Sequence, residues 1–233
     1  MICADRPSKA NGVCTVPADH WQLELSAVDW TLTSDSGTHV ASFGSTFAKL
    51  GLGDSSDIEL GFSPYLHVDQ PGFVTSGVGD TVVRYKQRLT GSDAPVQAAI
   101  IPFFKVPTAK QGIGNGKVEG GLAAPLSTAL GKALTITVGP EVDVLADADG
   151  HGRHAAVTNL VNLGWSASPR LTLSAELWNN MNFDPAGTAQ LWSADASAAY
   201  LVSQRIQLDA GANIGLTPAT PKRELYGGVS LLF

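Results

Sequence analysis

The sequence predicts an all-β protein, a twelve-stranded antiparallel up-and-down transmembrane β-barrel. Three observations carry that expectation. Apolar and polar residues alternate with period two along most of the chain, and no stretch shows the 3.6-residue period of an amphipathic helix. The connections alternate between long and short, as in outer-membrane barrels with long outer loops and tight periplasmic turns. Charged residues make up only 15% of the 233, well under the ~25% of soluble domains.

The alternation marks twelve strands, near 20–32, 39–50, 57–68, 80–90, 95–106, 117–128, 133–145, 154–166, 170–180, 189–202, 205–216 and 224–233. Ile206–Leu216 is the clearest. Ile206, Leu208, Ala210, Ala212, Ile214 and Leu216 share one face, and Gln207, Asp209, Gly211, Asn213 and Gly215 the other. Strand 1 changes parity near Ala27–Val28 and requires a bulge there. Strand 2 fits neither parity, because Phe43 and Phe47 oppose Thr46, Ala48 and Leu50. Strand 8 turns Asn159 toward lipid. Long connections include DSG, DQPGFVTSGVG, PTAKQGIGNG and ADGHG, and short ones include STALGK, ASP and SQ. An even strand number brings both termini to one side, expected to be the periplasm of a Gram-negative cell.

Residues 1–19 are then expected as a periplasmic segment and 20–233 as the barrel. Cys3 and Cys14 bracket a short loop, which suits a disulfide and an oxidising compartment. The opening MICADRPSK has neither a basic n-region nor an apolar h-region, so an exported chain is expected here in its mature form.

Lipid is expected outside the barrel and polar groups inside. Twelve strands enclose more space than apolar side chains fill, a limit reached at about eight. The aromatic residues fall at strand ends, where amphipathic rings meet the membrane interfaces. Trp21, Trp165, Tyr200 and Phe233 fall at the periplasmic end, and Trp30, Trp178 and Trp192 at the outer end. A soluble lipid-binding barrel is the inside-out alternative. The net charge of −6 and the lack of a Lys/Arg block argue against a nucleic-acid partner. Apolar runs such as AAIIPFF fall far short of the ~20 residues of a transmembrane helix.

The predicted inward faces carry Glu24, Glu59, Glu119, Glu141, Asp143, Glu176, Asp195 and Asp209 against Arg84, Lys86, Arg88 and Lys105. A basic wall facing an acidic one would set a transverse field across a solute path. The same charges could instead form an ion-pair network that fills the lumen. Pro64, Pro102 and Pro140 recur 38 residues apart on upward strands. Proline interrupts a ladder, so this wall is a candidate for sideways exit of a hydrophobic solute into lipid.

Two stretches resemble a known family. CADRPSKANGVCTVPADHWQLELS carries Asp5, Arg6, Pro7, Thr15, Val16, Pro17, Gln22 and Glu24, similar to the opening of outer-membrane proteins grouped as the meta-pathway of phenol degradation family. GVGDTVVRYKQRL, followed by PFFKVPTAKQGIGNGKVEGGL, is similar to that family's G-x-G-D, K-x-P-T and Gly-rich loop, with PTAK where many relatives read PTG. The resemblance implies an outer-membrane transport barrel, and a solute that is aromatic or hydrophobic.

Signals for enzyme chemistry are weak. Asp147, Asp149, His151 and His154 lie close in one loop but lack the Ca-loop spacing, so no metal is expected. His39 and Ser42 lie three apart and oppose each other on a regular strand, and no G-x-S-x-G, H-E-x-x-H or P-loop occurs. The expected function is passive passage of small solutes without enzyme activity or cofactor, the loops 67–80 and 107–117 narrowing the outer mouth. The alternative is a structural or adhesion barrel plugged by its own ion pairs. Expected partners are outer-membrane lipid, a small-molecule solute, and the barrel-assembly machinery through the terminal strand ELYGGVSLLF.

Overall fold

The computed structural model describes residues 2–32 and 37–233, and among them every regular element is a strand. Residues 33–36 of the first long connection lie outside the described residues. Seventeen ladder segments form a single sheet. They make up twelve strands, five of them split in two. These are β1 (Trp21–Leu32), β2 (His39–Phe43 and Ser45–Gly51), β3 (Ser56–Phe62 and Tyr65–Gln70), β4 (Phe73–Gly77 and Thr81–Arg88), β5 (Val96–Val106) and β6 (Glu119–Ala123 and Leu126–Leu130). They continue as β7 (Leu134–Val138 and Glu141–Ala146), β8 (Arg153–Ser166), β9 (Leu171–Asn182), β10 (Ala189–Ser203), β11 (Ile206–Gly215) and β12 (Arg223–Leu232). Each strand pairs antiparallel with the next, and β12 closes on β1 from Gln22↔Leu232 to Leu32↔Arg223. Closure leaves no free edge for intermolecular pairing.

The period-two pattern sorts side chains by solvent. Ile58, Leu60, Val142, Val144, Leu177 and Leu208 are exposed on the outside. Gln22, Glu24, Asp57, Glu59, Asn162, Glu176, Asp209 and Ser230 are buried inside. Such inversion suits a barrel surrounded by lipid. Trp21, Trp165, Trp192, Tyr200 and Phe233 are exposed at the strand ends. Trp30 stacks on His39 across the first hairpin. Trp178, expected in the interface belt, turns inward instead. It lies two residues from the buried Glu176 on an unbroken strand, so the two must share a face.

The parity faults have physical causes. The bulge in β1 falls between Ser26 and Val28. In β2 the break is Gly44, whose φ of 75° is open to glycine at little cost. Ser42 is buried before the break and Lys49 after it, so the inward face changes from even to odd positions. Asn159 is exposed on the outside, as expected.

The walls differ. Strands β8 to β12 run without a break, whereas β2, β3, β4, β6 and β7 are interrupted. Pro64 and Pro140 sit at two interruptions and face outward. Pro102 also faces outward, but inside unbroken β5, opposite Leu122. The third proline break is Pro125, in β6. The carbonyls at these breaks remain bonded: Gly79 N–H donates to Ser63 O (2.8 Å), Ala124 N–H to Pro140 O (2.9 Å) and Ala99 N–H to Pro125 O (3.1 Å).

Residues 2–19 do not form a segment apart from the barrel. They enter the lumen at the tight-turn end, starting where Ile2 N–H donates to Gln204 O between β10 and β11. The Cys3–Cys14 disulfide closes the loop, with the Cα atoms 5.9 Å apart. Insertion is favoured because the wall is lined with carboxylates that need donors, and an irregular peptide supplies free amides.

Candidate solute site in the lumen

The inserted segment acts as a plug held by its own backbone. Gln22 and Cys3 exchange two hydrogen bonds, Cys3 N–H to Oε1 (2.9 Å) and Nε2 to Cys3 O (2.7 Å). Glu24 accepts the amides of Asp5 and Arg6 at 3.0 and 3.1 Å. Glu176 accepts those of Lys9 and Ala10 at 3.2 and 3.1 Å. On the return limb Val16 N–H donates to Asp57 at 2.8 Å.

Its side chains then complete the wall's charges. Asp5 bridges two buried ammonium groups, Lys49 at 2.6 Å and Lys86 at 2.7 Å. Glu24 also pairs with Lys49, and Glu59 lies 3.2 Å from Lys86. Burial opposes ionisation of Asp5, but Lys49 and Lys86 outweigh it and hold the carboxyl well below its usual range. Arg6 reaches Asp209 at 2.7 Å, beside Tyr226. Lys9 reaches Asp195 at 2.7 Å and Ser193 at 2.9 Å, with its ammonium 5.1 Å from the Trp178 ring centre.

Above the plug lies a chamber of about 600 Å³, bounded below by Arg6, Ser8, Lys9 and Asn11. Its walls include Phe47, Arg84, Glu141, Asp143 and Trp178. Arg84 lies 4.3 Å over the Phe47 ring and donates to Asn11 at 3.2 Å. Two glycines let these side chains lie close against the wall. A Cβ on Gly61 would lie 2.6 Å from the Phe47 ring, and one on Gly121 would lie 2.3 Å from Asp143 Oδ1.

The twelve charged residues expected inside are not one constellation. Glu24, Glu59 and Lys86 belong to the plug clamp, as do Glu176, Asp195 and Asp209. Lys105 is paired with Asp80 (3.2 Å) and Glu119 (2.7 Å). Arg88 lies near the tight-turn mouth, donating to Asp54 O at 2.7 Å. Arg84, Glu141 and Asp143 face the chamber. The expected basic wall is therefore neutralised, because its lysines are enclosed by carboxylates. Sequence reasoning missed Lys49, Asp57, Phe47 and the plug residues Asp5, Arg6 and Lys9. A parity switch at Gly44 would have turned Phe47 and Lys49 inward.

At the long loop after β7, Asp147 pairs with His154 of β8 at 2.8 Å, and Asp184 from another loop lies 3.6 Å from the same ring. Among the described residues no group of three or more His, Cys, Asp or Glu side chains is placed to hold a metal.

The sequence profile of the family described as "Putative MetA-pathway of phenol degradation" matches residues 4–233. The chain belongs to this family. No curated protein matches it significantly. Among solved structures it resembles a COG4313 outer membrane channel from Pseudomonas putida F1, with a TM-score of 0.75 and 16% identity over 97% of this chain and 100% of that one. It also resembles the NanC porin, with a TM-score of 0.62 and 10% identity over 90% of this chain and 98% of that one. A third resemblance is to the translocator domain of the autotransporter NalP from Neisseria meningitidis, with a TM-score of 0.56 and 10% identity over 93% and 89%. At these identities the likeness establishes the fold, the outer-membrane β-barrel.

Proposed function

We propose that this family member is an outer-membrane channel passing small aromatic or hydrophobic solutes passively. The chamber carries the reading: a space of about 600 Å³ with mixed polar and apolar walls inside a closed barrel, large enough for a small ring compound. The family's description, with its reference to phenol degradation, supports the solute class. The likeness to channels supports passage. We place the long loops outside and both termini, with the plug's point of insertion, on the periplasmic side. The exposed Phe233, whose amide donates to Trp21 O at 2.8 Å, ends the strand offered to the barrel-assembly machinery. No enzymatic step enters this reading.

Liposome swelling with refolded protein tests it, comparing a small sugar with a small aromatic of similar size. Swelling with the aromatic alone supports selective passage. Swelling with both makes the pore general. Failure with both, from protein shown to be folded by a heat-dependent gel shift, favours the second reading, a structural barrel. The ion pairs that fill the tight-turn half of the lumen favour that reading.

The interrupted wall extends the proposal. At Pro64 and Pro140 the ladder is held by few bonds and could part to release a hydrophobic solute sideways. Pro140→Val is expected to impair that release and leave ion conductance unchanged. Equal loss of both would sink the extension.

A further inference from the structure

The chamber's charges are not balanced. Three cations reach its lining, and each already has an anion: Arg6 with Asp209 at 2.7 Å, Lys9 with Asp195 at 2.7 Å and Arg84 with Glu59 at 3.8 Å. Glu141 and Asp143 have no ion pair among the described residues. They lie two apart on β7, so both project into the same space. Asp143 is 8% exposed, and its Oδ1 is buried with no hydrogen-bond partner. The charges acting on Asp143 are those of Glu141 and Glu119, both acidic. The cation acting on Glu141 is Arg84, already shared among Glu59, Asn11 and the Phe47 ring.

A carboxylate buried without a donor is costly unless something completes it. In the tight-turn half residues 2–19 do so, whereas Glu141 and Asp143 have no such partner among the described residues, and the third unpaired acid of the lining, Asp29, lies beside another acid, Glu224. Gly121 gives the Asp143 carboxylate its place on the wall, since a Cβ there would lie 2.3 Å from Asp143 Oδ1. The same chamber presents Phe47 and Trp178, whose faces already hold Arg84 and Lys9 and so suit positive charge.

We propose that Glu141 and Asp143 are the docking point for an ammonium group carried by a small aromatic solute. The chamber then takes aralkyl ammonium compounds first, neutral aromatics second and aromatic carboxylates last. This rests on the channel reading for its solute size but names the solute's charge. The Lys9 ammonium on Trp178 and Asp195 is an example of such recognition within the chain.

The test is equilibrium binding to folded protein in detergent at about pH 8, well above ordinary carboxylate values. The probes are benzylammonium, benzyl alcohol and benzoate, followed by calorimetry. Benzylammonium is expected to bind tightest and benzoate weakest. The double variant Glu141→Gln, Asp143→Asn is expected to weaken benzylammonium on the order of tenfold, to the level of the alcohol. Benzoate binding as tightly as benzylammonium in the unaltered protein overturns the site, whether or not the variant folds. An unchanged preference in the folded variant overturns it as well. Because binding does not require passage, ammonium binding to a protein that causes no swelling supports the site while overturning the channel. Swelling by aromatics with no ammonium preference in binding does the reverse.

Discussion

The two halves of the lumen use the same residue types and reach opposite electrostatic states. In the tight-turn half, Lys49 and Lys86 are 1% and 0% exposed and share Asp5, Glu24 and Glu59. In the chamber, Glu141 and Asp143 line the wall with no ion pair among the described residues. The difference is the plug. Where polypeptide displaces water, each buried charge needs a partner, and residues 2–19 bring amides, a carboxylate and two cations. Where water or solute can enter, a carboxylate can stay unpaired. A lumen charge is thus a structural group or a recognition group according to what fills the space beside it.

Four perturbations bear on this contrast. The largest effect is expected from Asp5→Ala, which takes a shared carboxylate from two buried ammonium groups. Breaking such a cluster costs about 3–5 kcal/mol. The plug should loosen, seen as faster proteolysis near the N-terminus and higher single-channel conductance. Unchanged conductance with a released plug would show that the occlusion lies elsewhere.

Replacing Cys3 and Cys14 together with Ser removes the closure of a loop with a sequence separation of 11. The chain-entropy model gives roughly 3 kcal/mol for a loop of this size. The loss should fall on the plug and spare the strands. Proteolysis should therefore change while the heat-dependent gel shift stays constant.

Gly228→Ala would place a Cβ 2.2 Å from Leu25 O and 2.6 Å from the Arg6 guanidinium. Both must move, at about 1–3 kcal/mol. The shift of the Leu25 backbone is expected to lower the unfolding temperature, and the displacement of Arg6 to open the Arg6–Asp209 pair and raise conductance modestly. An unchanged unfolding temperature and conductance would break the assignment.

The smallest effect is that of mild acid on the plug clamp. Asp5 is held below its usual range, so it stabilises the plug fully above the unfolded value of about 4. That contribution fades only as pH falls through the lower folded value. Conductance changes traceable to Asp5 should be absent between about pH 7 and pH 5. An Asp5-dependent opening in that window, seen by comparison with Asp5→Ala, would break the assignment.

Much of this architecture was legible in the chain. Twelve alternating segments matched the twelve strands, and the parity fault at Ala27–Val28 located the β1 bulge. The cysteine pair formed the expected bridge. What failed did so for local reasons. Gly44 turned Phe47 and Lys49 inward by a one-residue flip that the pattern registered only as irregular. Trp178 was assigned by its height at a strand end, although its spacing from Glu176 already placed it inside. Pro102 fits an unbroken strand, while Pro125, outside the 38-residue spacing, marks a break.

The alternation of side chains, taken with the strand number, the low charge and the aromatic residues at strand ends, determined from sequence alone that this protein is a closed barrel, polar within and apolar without. A period of two permits only one sorting of faces once lipid lies outside. The tertiary structure alone decided that the first residues lie inside that barrel, and which charges they leave unpaired. Arg6 and Asp209 are separated by 203 positions in sequence and Lys9 and Asp195 by 186. No local pattern encodes such pairings, because they depend on which side chains the curvature of the sheet brings to the same height.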